Sequence, residues 1–111
     1  MKINEKRQDG VWIVEVSGEV DFHSSPDLRE KLGKVADSQA EKVVINLKNV
    51  SYIDSSGLAT FVEALQKIKR YKGKFVLAEL APAVRSVFEI AKLDTIFSLA
   101  SSEQEAFQLV N

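Results

Sequence analysis

The stretch Asp54-Ser55-Ser56-Gly57-Leu58 places a carboxylate, two hydroxyls and a glycine in consecutive positions, just ahead of an apolar helical pattern. Leu58, Phe61, Val62, Leu65 and Ile68 recur at helical spacing, which predicts a helix from about Ser55 to Tyr71 with Glu63 and Lys67 paired on its outer side. The first backbone N–H groups of a helix lack intrahelical partners, and that end carries about half a positive charge. A phosphate attached to Ser55 is therefore expected to rest beside free donors without damaging the fold. Plain helix capping, by Asp54 or by Ser55, accounts for the same residues. Gly57 shifts the balance, because glycine costs about 1 kcal/mol against alanine in a helix and its bareness lets another group come close.

Catalytic readings of this loop find little support. A phosphate-cradling loop needs Gly-x-x-x-x-Gly-Lys-Ser/Thr, and no lysine follows Gly57. A serine hydrolase presents its nucleophile on a Gly-x-Ser-x-Gly elbow, which the chain lacks. Asp21 and His23, the single histidine, complete a triad with Ser55 only if the fold brings all three together. His23 reads more simply as a polar residue near a helix start.

The elements that must position this loop follow from periodicity and turn chemistry. Lys2 to Lys6 reads as a weak strand, Asp9-Gly10 as a turn, and Val11 to Val16 as a strong strand, together a hairpin closed by Gly18-Glu19. Ser24-Ser25-Pro26-Asp27 predicts a helix start with a serine cap, and Leu28, Leu32 and Val35 form its apolar stripe. Lys42 to Lys48 holds a nearly continuous β-branched run, Val43-Val44-Ile45 with Leu47, which suits a strand covered on one face or on both. Gly73 is predicted to end the long helix. A strand over Phe75–Ala78, a short helix opened by Pro82, a strand over Thr95–Leu99 and a final helix behind a Ser102–Glu105 capping box complete the chain. Strands alternating with helices over short connections argue for an α/β fold with right-handed crossovers. The expected architecture is one domain over residues 1–111, a mixed, mostly parallel sheet with an N-terminal hairpin and four helices. In such a layout ligands and partners meet the loops at the carboxyl ends of the strands, where Asp54-Ser55 lies.

Composition narrows the function from the other side. The chain has 111 residues, 45% hydrophobic and 28% charged, enough for a core of its own without staples. It has no cysteine, which excludes disulfides and thiolate metal sites, and with one histidine no metal or other cofactor is expected. Fifteen basic against 16 acidic residues leave a net charge of −1, without the basic field of a nucleic-acid binder. The basic run Lys67, Lys69, Arg70, Lys72 and Lys74 reads as a solvated helix end that complements the dipole. Apolar runs fall short of the roughly 18 residues that span a bilayer, and no signal-peptide stretch opens the chain. A soluble cytoplasmic protein with no membrane contact is expected. Trp12, Phe61, Phe75, Phe88 and Phe97 are read as core.

Three blocks of residues resemble a known family. Asp54-Ser55-Ser56-Gly57-Leu58, entered by Val50-Ser51-Tyr52-Ile53, is similar to the signature of bacterial anti-sigma factor antagonists, which are stand-alone STAS domains. Gly18-Glu19-Val20-Asp21 resembles the Gly-Glu-apolar-Asp block after that family's hairpin. Pro82-Ala83-Val84-Arg85, with Phe88, Leu93, Ile96 and Phe97, resembles its C-terminal helix–strand block. The likeness spans about Val11 to Leu109. It implies a partner switch in which the unphosphorylated protein binds an anti-sigma factor that is also an ATP-dependent serine kinase, and so frees the sigma factor. The kinase phosphorylates the serine after the motif aspartate, here Ser55 with Ser56 as second choice, and a metal-dependent serine phosphatase reverses the step. Asp21, Asp54, Ser55, Ser56 and Gly57 are then the partner-binding residues of a regulator that is not an enzyme, is a monomer when free, and needs no cofactor. Ala59 departs from the pattern, standing where many relatives carry a second glycine. The alternative within the family is a scaffold or subunit of a signalling or lipid-transport assembly without phosphorylation control.

Overall fold

A computed structural model describes residues 1–111. The chain runs β1 (Lys2–Gln8), β2 (Val11–Val20), α1 (Ser25–Asp37), β3 (Lys42–Ile53), α2 (Ser55–Arg70), β4 (Lys74–Ala78), α3 (Pro82–Ile90), a single 3-10 turn (Leu93–Thr95), β5 (Ser98–Ala100) and α4 (Glu103–Val110). The five strands lie in the order β1-β2-β3-β4-β5, with β1 antiparallel to β2 and every other neighbour pair parallel. This is the expected α/β architecture. No helix is long and apolar enough to cross a membrane.

The hairpin turns where Asp9-Gly10 predicts it, with positive φ at both residues (53° and 79°), the backbone of the two-residue turn that matches strand twist. Gly18-Glu19 does not close the hairpin. β2 continues to Val20, and Gly18 sits at φ +100° where the register with β3 slips, so the strand bulges instead of ending. β3 likewise passes Lys48 and ends at Ile53, since Val50 and Ile53 return to the core beyond the irregularity. These two extensions carry both loops of the candidate site to the same edge of the sheet.

Two apolar layers enclose the sheet. On one face α1, α2 and α3 pack Leu28, Leu32, Phe61, Ile68 and Phe88 against Val14, Ile45, Leu47 and Leu77. On the other, α4 lays Ala106 and Val110 over Ile13, Val44, Val76 and Ala100. Val43 to Leu47 is buried throughout, and of the two positions open to this run, covered on one face or on both, the structure selects the doubly covered one at the centre of the sheet. Phe61, Phe75, Phe88 and Phe97 are all buried, and Phe88 joins them with its ring 6.3 Å from Phe61 and 5.5 Å, edge-on, from Phe97. Trp12 is only partly buried, because its cover is the edge strand and the Arg7 guanidinium 3.6 Å above its ring.

Three local expectations are corrected. The last strand is Ser98–Ala100, not Thr95–Leu99, because the N–H groups of Ile96 and Phe97 turn back to the Leu93 carbonyl and cannot join a ladder. The left-handed residue that closes α2 is Lys72 (φ 65°), not Gly73. At α4 the Ser102 hydroxyl accepts the Glu105 N–H at 3.0 Å as a cap should, but the Glu105 carboxylate takes the Ser101 N–H rather than that of Ser102.

Candidate functional site

Val20 and Ile53, the last residues of β2 and β3, are register partners, and the Asp54 N–H donates to the Val20 carbonyl at 3.1 Å. The β2–α1 loop and the start of α2 therefore share one edge. Asp54 has the extended backbone of an N-cap, and its Oδ1 accepts from the Ser56 N–H (3.0 Å), the Gly57 N–H (3.1 Å) and the Ser56 hydroxyl (2.6 Å). Of the two capping candidates, Asp54 is the cap. The donors expected to be free beside Ser55 are thus largely occupied by a neighbouring carboxylate. Ser55 is exposed at the first helical position, and its hydroxyl is engaged by no neighbour.

Gly57 is buried, and its bareness is required. A Cβ there falls 2.7 Å from Ile53 Cγ1, 2.8 Å from Val20 Cγ1 and 3.0 Å from the Val20 carbonyl oxygen, which Asp54 already holds in place. The close approach inferred from the residue type is made by the protein's own strands. Gly57→Ala is expected to lower stability by roughly 1–2 kcal/mol, the overpacking outweighing alanine's gain of about 1 kcal/mol in helix propensity. Urea unfolding of the two proteins measures this directly.

The β2–α1 loop is built on Asp21 rather than on a serine cap. The Ser24 side chain caps nothing at the start of α1; its hydroxyl donates to the Glu19 carbonyl (2.8 Å) and accepts the Asp21 N–H (2.9 Å). The Asp21 carboxylate accepts the N–H groups of His23 and Ser24, each at 3.0 Å. No side chain caps α1: the Asp21 carboxylate closes the turn ahead of the helix, and Ser24 is drawn into that turn. An aspartate two and three residues ahead of the N–H groups it binds is a turn signature, and it is legible at Asp21 to Ser24.

Both carboxyl groups are held below the usual carboxylate range. The Ser56 hydroxyl is the main cause at Asp54, with the N–H groups of Gly57, Ser56 and Phe22 adding and partial desolvation opposing. At Asp21 the Ser24 N–H is the main cause, again against desolvation, with the His23 N–H and Ser24 hydroxyl assisting. Both residues are ionised at neutral pH, so the site is anionic around Ser55. No catalytic triad is assembled: Asp21 binds backbone N–H groups, the His23 ring stacks on Phe22, and neither reaches the Ser55 hydroxyl through a hydrogen bond. The arrangement suits recognition and modification of an exposed hydroxyl.

Comparison with known proteins places nearly the whole chain in one family. The family model of the STAS domain matches residues 2–106. The anti-sigma-B factor antagonist of Bacillus subtilis is 32% identical over 108 residues, 97% of this chain and 98% of that protein. Its counterpart in Staphylococcus aureus is 31% identical, over 84% of this chain and 86% of its own. The crystal structure of an anti-sigma factor antagonist from Mycobacterium paratuberculosis superposes with a TM-score of 0.91 at 29% identity, covering 98% of this chain and 92% of that one.

Proposed function

The chain belongs to the STAS domain family, among the anti-sigma factor antagonists, and from that membership we propose that its unphosphorylated form binds an anti-sigma factor and that phosphorylation of Ser55 abolishes the complex. Binding sequesters the anti-sigma factor and releases the sigma factor. The protein acts as a regulator; the reaction on Ser55 belongs to its partners, a serine kinase residing in the anti-sigma factor and a serine phosphatase that restores the hydroxyl. Asp21, Asp54, Ser55 and Ser56 form the contact surface, and Gly57 draws α2 down onto β2 and β3 so that Ser55 stands at the rim.

The observation that carries this reading is the position of Ser55. It is exposed, its hydroxyl has no internal partner, and it adjoins an ionised cap, so a phosphate enters without displacing any packed group. The added charge then acts at the surface and leaves the core untouched. Ser56 is the poorer acceptor, because its hydroxyl is spent on Asp54 at 2.6 Å. Incubation with the kinase and ATP, followed by tandem mass spectrometry, is expected to place phosphate on Ser55. Phosphate at any site other than Ser55 or Ser56, or none, overturns the switch and favours a scaffold role.

A further inference from the structure

Among the large apolar side chains that stand out of this surface, Phe22 is the one carried by the β2–α1 loop, between Asp21 and His23. It is 66% exposed. Its ring and that of His23 lie 4.0 Å apart, tilted by 34°, and form a small aromatic ledge. The loop beneath is held from several sides: Asp21 Oδ1 takes the N–H groups of His23 and Ser24, the Ser24 hydroxyl grips the Glu19 carbonyl, and the Ser25 N–H donates to the Asp21 carbonyl at 2.7 Å. The backbone that carries the ring is fixed in this way, so binding there costs little main-chain freedom. Exposure of this extent brings the isolated fold little stability, whereas a pre-positioned aromatic side chain is well suited to anchor an interface.

Phe22 is continuous with the surface that holds Ser55, since the Asp54 N–H binds the Val20 carbonyl two residues before it. We propose that Phe22, backed by His23, is the apolar anchor of the complex with the anti-sigma factor, seated in a pocket of that partner beside Ser55. The proposal rests on the antagonist reading above and deepens it. A seated aromatic anchor is surrounded by a rim of contacts that exclude water from it. Ser55 stands in that rim, so a phosphate there must shed its hydration for the anchor to seat.

The test compares affinities of unphosphorylated wild type, Phe22→Ala, Phe22→Leu and Leu109→Ala for the purified anti-sigma factor encoded in the same genome. Phe22→Ala is expected to weaken binding by about 30-fold or more, as loss of an interface hot spot does, with its thermal melting curve unchanged. Phe22→Leu falls between. Leu109→Ala removes an exposed apolar side chain from α4, on the opposite face of the sheet, and is expected to bind as wild type. Phe22→Ala binding within about threefold of wild type, or an equal loss in Leu109→Ala, overturns the anchor and leaves the antagonist reading standing. Failure of wild type to bind overturns both.

Discussion

Phosphorylation of Ser55 is expected to weaken the complex with the anti-sigma factor by about two to three orders of magnitude. The phosphate adds a charge of about −1.5 to −2 at neutral pH. It arrives beside Asp54, ionised and held below the usual carboxylate range, with Asp21 ionised in the adjoining loop. The nearest backbone donors, the N–H groups of Ser56 and Gly57, already serve Asp54 Oδ1. The new dianion therefore competes with Asp54 for them instead of finding them vacant. Its burial against a partner incurs desolvation, and like charges brought together across an interface cost several kcal/mol. A penalty of about 3–4 kcal/mol, at about 1.4 kcal/mol per tenfold, gives the stated loss. Calorimetric titration of phosphorylated and unphosphorylated protein measures it. Ser55→Ala is expected to bind as the unphosphorylated form and to resist switching. Equal affinity of the two forms would sink the electrostatic mechanism.

Phe88→Ala is expected to destabilise the fold by about 3–5 kcal/mol, the cost of deleting a fully buried aromatic side chain and leaving a cavity. Phe88 is completely buried and lies between Phe61 of α2 and Phe97 ahead of β5. Its ring ties α3 to the helix that presents Ser55 and, through Phe97, to the last strand. Against a typical domain stability of about 5–15 kcal/mol this is a large share, and a fall in melting temperature of more than about 10 °C is expected. Ile90, at the end of the same helix, is 83% exposed, and Ile90→Ala should stay within about 0.5 kcal/mol of wild type. Urea unfolding of both variants separates the two cases. A loss below about 1 kcal/mol at Phe88 would contradict the aromatic packing described above.

The parts of this protein legible in its sequence are those governed by local chemistry. The period of Phe61, Leu65 and Ile68 gives α2 its buried face, with Leu58 partly buried at its margin, and Asp9-Gly10 gives the hairpin its turn. Val43-Val44-Ile45 with Leu47 marks a covered strand, because a strand open to water on one face alternates apolar with polar residues, and here only Asn46 interrupts the run. The three blocks that resemble the antagonists are local as well, and the chain's relatives bear the resemblance out.

The tertiary structure decided matters that depend on residues distant in sequence. Gly18 looks like a stop in a strand, yet pairing with β3 carries β2 through it as a bulge and brings the Asp21 loop level with Asp54. Ser24 and Ser55 each suit a helix cap by type; which groups the helix ends receive was settled by the turn at Asp21 and by the carboxylate of Asp54. A sequence offers several side chains for each unsatisfied N–H, and only the assembled fold selects one of them. Gly57 shows both levels at once. Its residue type announced a close approach, but that Val20 and Ile53 make it, and so lift Ser55 to an exposed rim, follows from the packing of α2 across the ends of two strands.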